Sequence, residues 1–126
     1  MIKVHVMKDF DPVEYEDFEG DGTLEVEVKT WKSKTLVVYM DVTINDGNDI
    51  IISPSFRDDN AFDEGFVFAS ATKRDVVELD GPYELKNSGR YRTSIPVFEN
   101  EETVILNIED NGSDIELWAI PEGYMY

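Results

Sequence analysis

A chain of 126 residues with 41% hydrophobic residues has the size of one domain, 1–126, and enough apolar content for a core without covalent staples. It has no cysteine, which excludes a disulfide framework and thiolate metal sites, and no apolar run approaches the roughly 18 residues of a membrane-spanning helix. Its net charge of −17 argues against direct binding of nucleic acid, which relies on positive potential.

Residues 1–8 alternate, with Ile2, Val4 and Val6 on one side and Lys3, His5 and Lys8 broadly on the other, which predicts a strand. The opening MIKVHVMKDF lacks the apolar core and cleavage site of a signal peptide, so a soluble, cytoplasmic protein is expected. His5 is the only histidine and reads as an ordinary surface residue. The next segment, DPVEYEDFEG at 11–20, carries helix punctuation. Asp11 can cap, Pro12 suits the first helical position, Glu14 completes a capping box, and Gly20 suits the stop. A two-turn acidic helix is predicted there, docked by Tyr15 and Phe18.

Thr23 to Trp31 predicts a strand with Leu24, Val26 and Val28 inward and Glu25, Glu27 and Lys29 outward. Thr35 to Asn45 has the longest period-two pattern in the chain. Leu36, Val38, Met40, Val42 and Ile44 share one face, as in a strand near the middle of a sheet. Asn45-Asp46-Gly47-Asn48 is a hairpin signal leading into an apolar strand from Asp49, which Pro54 ends or confines to an edge. Residues 54–64 read as a loop with a helical turn near 60–64, and 65–71 and 76–79 as strands. Arg90 to Phe98 is a further strand. Thr103 to Glu109 and Asp114 to Ile120 are expected to form a hairpin, packing Val104, Leu106 and Ile108 with Ile115, Leu117 and Ala119. Trp118 and Ile120 then face away from Leu117. The reading is an all-β antiparallel sandwich or barrel of eight to nine short strands with one short helix near its N-terminal end.

No nucleophile–base pair or phosphate loop stands out, so no catalytic residue and no enzyme activity are expected. Asp21 with Glu25-Val26-Glu27-Val28-Lys29 resembles the metal site of restriction-type nucleases over about nine residues, but those enzymes set this strand in a sheet flanked by helices. Three turns rich in Asp and Asn offer oxygen ligands for calcium: Asp46 to Asp49, Asp58 to Glu64, and Asp110 to Asp114. None has EF-hand spacing, and these residues also favour turns for conformational reasons. No metal or cofactor is therefore assigned. Trp31 with Lys29, Lys32 and Lys34, and Tyr91 with Arg90 and Arg92, are aromatic–basic clusters. They are expected to pair with acids inside the chain.

The placement of charge is the strongest functional signal. Residues 9–28 hold nine acids and no lysine or arginine, and residues 93–126 hold eight acids and none, which together equal the whole net charge. The expectation is an acidic binding protein that inhibits a nucleic-acid-handling protein by occupying its basic surface. Small acidic inhibitors made by phages against host enzymes are similar in charge, not in motif. Glu14, Glu16, Asp17, Glu19, Glu25, Glu27, Asp114 and Glu116 are the expected partner-binding residues. Carboxylates at i and i+2 of a strand lie about 6.8 Å apart, close to two phosphate steps of about 3.4 Å. The two base-free blocks are expected to share one face. Alternative readings are a calcium-assisted sandwich binding carbohydrate through Trp31, Trp118 and tyrosines, and a structural module that pairs through a sheet face or edge.

Overall fold

Among the described residues the chain forms ten strands, β1 (Ile2–Lys8), β2 (Asp11–Gly20), β3 (Thr23–Lys29), β4 (Thr35–Thr43), β5 (Ile50–Arg57), β6 (Val76–Glu78), β7 (Tyr83–Leu85), β8 (Gly89–Pro96), β9 (Thr103–Glu109) and β10 (Asp114–Glu122). This computed structural model describes residues 1–8, 11–30, 33–57, 76–78, 81–97 and 103–122. The strand expected at 65–71, the helical turn at 60–64 and the calcium candidates at 58–64 lie outside them. The described strands form two five-stranded sheets. Sheet A has the order β2-β1-β10-β4-β8, and sheet B the order β3-β9-β5-β6 with β7 also on β5. The all-β sandwich expected from the alternation is the architecture observed.

The core lies between the sheets. Ile2, Val4, Leu36, Val38, Ile95 and Leu117 enter from sheet A, and Val26, Val28, Ile50, Leu106 and Ile108 from sheet B, each at most 1% exposed. Ordinary area bookkeeping makes each such aliphatic side chain worth about 1.5–3 kcal/mol of transfer energy. The inward sets read from the period-two pattern are buried on β1, β4, β9 and β10, and Val37 and Ile105 of the opposite faces are buried as well.

The predicted helix at 11–20 is instead the edge strand β2. It pairs antiparallel with β1, Val4 against Phe18 and Lys3 against Glu19, and the register slips between Met7 and Lys8. A two-turn helix has too little cooperativity to stand alone. A second strand beside β1 instead gives its backbone groups ladder partners and draws Phe18 against the core. Pro12, read as a helix start, falls in the slip, where a missing N–H is tolerated.

The two hairpin signals are also corrected. Asp46 and Gly47 (φ 52° and 70°), and Asn111 and Gly112 (φ 50° and 92°), do form tight left-handed turns. Yet β4 and β10 belong to sheet A, while β5 and β9 belong to sheet B. Each turn carries the chain from one sheet to the other. Leu106 and Ile108 meet Ile115 and Leu117 through the core, not along a shared ladder. Nor does Pro54 end β5 or place it at an edge. One side of β5 pairs with β9 throughout, whereas the other takes β7 at 50–52 and β6 at 55–57. Pro54 sits in the gap, where no N–H is required. Gly81 approaches it there, so closely that a β-carbon would stand 3.0 Å from the Pro54 ring.

Candidate functional site

Cross-strand register turns the outer face of sheet A into rows of side chains. One row runs Glu19, Lys3, Glu116, Asp41, Arg90, and the next Asp17, His5, Trp118, Tyr39, Arg92. The first is fully ionic. The second places three rings side by side between an acid and a guanidinium.

His5 is the fixed point of this face. Its Nδ1 lies 2.6 Å from an Asp17 oxygen and its Nε2 lies 2.9 Å from a Glu116 oxygen. An ionised carboxylate only accepts, so both ring nitrogens donate, which requires the imidazolium. Partial burial works against that charge. The hydrogen bonds and charges of Asp17 and Glu116 outweigh it and hold the pKa above the ordinary histidine value. The ring also stacks on Trp118, with centroids 5.4 Å apart and planes 25° off parallel. One imidazole thus ties β2, β1 and β10 together across the sheet. The sequence does not disclose this role, because the helix punctuation at 11–20 sets Asp17 on a helix rather than across from His5.

Because the folded state raises the His5 pKa, its stabilisation is complete below the unfolded value of about 6.5. It is lost as pH rises through the higher folded value. Asp17 and Glu116 are substantially exposed, so the effect is expected to be of order 1 kcal/mol. Urea unfolding across this pH range should show a decline in the native chain that His5→Gln flattens. A native profile as flat as the variant's would mean that the two carboxylates do not hold the proton.

The eight acids expected to bind a partner do not share one face. Asp17, Glu19, Asp114 and Glu116 lie on the outer side of sheet A. Glu25 and Glu27 point from β3 to the outer side of sheet B, beside Asn107 and Ile105. The cause is the sheet change between β2 and β3. Glu14 and Glu16 sit on the edge strand β2. Four of the eight are engaged within the chain: Asp17 and Glu116 hold His5, Asp114 accepts from Asn45 and lies 3.2 Å from the Met1 ammonium, and Glu27 has a partner as well. Glu14, Glu16, Glu19 and Glu25 have no ion pair or side-chain hydrogen bond among the described residues, and all are exposed. They lie on β2 and β3, consecutive strands at the same side of the two sheets.

The Asp- and Asn-rich turns use their polar groups on each other. Ser113 donates from Oγ to the Asn48 carbonyl at 2.6 Å, and Asn111 donates to the Asp49 carbonyl at 2.6 Å. Asn45 donates from its side chain to Gly112 O and Asp114. Buried Asp110 accepts from the Met1 ammonium at 2.7 Å and from the N–H groups of Gly22 at 3.1 Å and Gly112 at 3.0 Å. Among the described residues no cluster of three His, Cys, Asp or Glu side chains is arranged to hold a metal. The nuclease-like Glu25, Glu27 and Lys29 alternate along an edge strand of an all-β sandwich, with no flanking helix among the described residues. Comparisons with protein-family models, curated proteins and solved structures find no match to this chain.

Proposed function

We propose that the protein binds a basic protein surface, of the kind that ordinarily holds nucleic acid, and blocks it with the acidic side formed by β2 and β3. The observation that supports this reading is the set of exposed carboxylates on Glu14, Glu16, Glu19 and Glu25, which have no ionic partner among the described residues, in a block free of lysine and arginine. Carboxylates already paired inside a fold offer little to a partner. Unpaired ones steer a cationic surface and pair with it on docking. Asp17, Asp114 and Glu116, committed within the chain, are secondary in this reading. The protein acts by occupancy, without catalysis, in the cytoplasmic compartment where such partners work.

Immobilised protein should capture basic proteins from a lysate at low salt and release them on a salt gradient, because screening weakens exposed charge contacts. With the captured partner purified, single reversals Glu16→Lys and Glu25→Lys are each expected to weaken binding about tenfold, mostly through slower association. Glu84→Lys, on β7 beside Lys86, should leave affinity unchanged. Binding indifferent both to salt and to the β2 and β3 reversals would overturn the proposal.

A further inference from the structure

We propose that the outer face of sheet A holds a second site, a cleft between Trp118 and Tyr39 that takes a sugar unit of an uncharged glycan. The two residues are register partners on β10 and β4. Neighbouring side chains on adjacent strands ordinarily sit within contact distance. Here each ring has turned to a different neighbour. Trp118 stacks on His5, and Tyr39 lies under the Arg92 guanidinium, 5.8 Å from its centroid. Each ring is held by a cation of the chain, and Tyr39 remains 39% exposed. A depression of about 250 Å³ is bordered by Tyr39, Trp118, Asp41 and Arg90. A second, of about 380 Å³, adjoins it at Asp41 and is bordered by Lys3, Thr43 and Glu116.

The charged groups around these depressions decide the ligand class. Lys3, Asp41 and Arg90 share one register row, yet none forms an ion pair or side-chain hydrogen bond among the described residues. An apolar ligand would bury these groups without partners, at high cost. A cation would meet Arg90 and Arg92 on the flank, next to rings that already hold cations. An anion would face a chain of net charge −17, with Asp41 and Glu116 at the site. A neutral polyol meets none of these objections. Its hydroxyls accept from Arg90 and donate to Asp41, which border the same depression, while its C–H face rests on the aromatic rings. The rings are positioned before the ligand arrives, which lowers the ordering cost of binding.

Affinity electrophoresis through gels containing a soluble β-glucan, a xylan, a galactomannan or dextran tests the assignment. At least one polysaccharide should retard the native protein. Tyr39→Ala and Asp41→Ala, both at exposed positions, should weaken that retardation about tenfold or more. Trp118→Ala should abolish it while a cooperative unfolding transition persists. Glu25→Lys, which tests the acidic side of β2 and β3, should leave it unchanged. Absence of retardation on all four polysaccharides overturns the proposal, as does retardation that survives both Tyr39→Ala and Asp41→Ala. Loss of basic-partner capture in Tyr39→Ala, with no glycan bound, would assign this face to the protein partner instead.

Discussion

Asp110→Ala is expected to destabilise the fold by about 3 kcal/mol, the lower end of the range for removing one partner of a buried ion pair. Asp110 is 2% exposed, but the Met1 ammonium it faces is partly open to water, and this places the effect at that lower end. The substitution leaves that ammonium and the Gly22 and Gly112 N–H groups without their shared acceptor. For a chain of this size the melting temperature should fall by roughly 10 °C. The pH dependence has a definite sign. Burial pushes the Asp110 carboxyl up, but the Gly112 N–H, the Met1 ammonium and the Gly22 N–H outweigh it and hold the pKa below the ordinary value. Its contribution is therefore present above the unfolded value of about 3.9 and is lost as pH falls through the folded value. Asp110→Asn keeps an acceptor but no charge and should lie between the native chain and the alanine variant. An alanine variant as stable as the native chain would mean that water serves these donors as well as the carboxylate does.

Leu117→Ala is the second large effect, about 3–4 kcal/mol, from lost transfer energy and the cavity left behind. Leu117 is fully buried between its register neighbours Val4 and Met40 and belongs to the core shared with sheet B. Since domains of this kind are stable by only about 5–15 kcal/mol, the loss should be plain in urea unfolding as a lower midpoint with an unchanged slope. Ile120→Ala, on the outward face of the same strand, should cost markedly less. Equal costs would contradict the assignment of inner and outer faces on β10.

These two residues also mark what the sequence could disclose. Leu117 was legible as core because the period-two pattern assigns a face whatever the partner strand. Asp110 was legible only as a turn residue, since its acceptor role depends on Met1 and Gly22, 109 and 88 positions away. The turns Asp46-Gly47 and Asn111-Gly112 read the same whether their strands pair with each other or leave for opposite sheets. That is why two sheet crossings passed for hairpins. At 11–20 the Asp-Pro start and the Glu at the third helical position are true local preferences, overridden by a strand partner waiting on β1. The His5 clamp needed two unreadable pairings at once, one of them 111 positions away. The acidic blocks were visible as composition, but the sheet change at Gly20 to Thr23 divides them between faces.

The parallel pairing of β1 with β10 has a kinetic consequence. Those strands lie more than a hundred residues apart in the chain, so their contact closes one of the longest loops in the fold. Closure of that length, together with the long-range pairings of β3 with β9 and β4 with β10, gives a high contact order, and folding is expected in the millisecond-to-second range. On the ribosome, at about 5–20 residues per second, Ile2, Val4 and Val6 emerge several seconds before Ile115, Leu117 and Ala119. For that interval β1 has at most β2 beside it, and a two-stranded ribbon is barely stable in water. The nascent chain therefore carries an uncovered apolar strand edge until β10 is made. The dense carboxylates of 9–28, synthesised directly after β1, keep such chains apart by mutual repulsion.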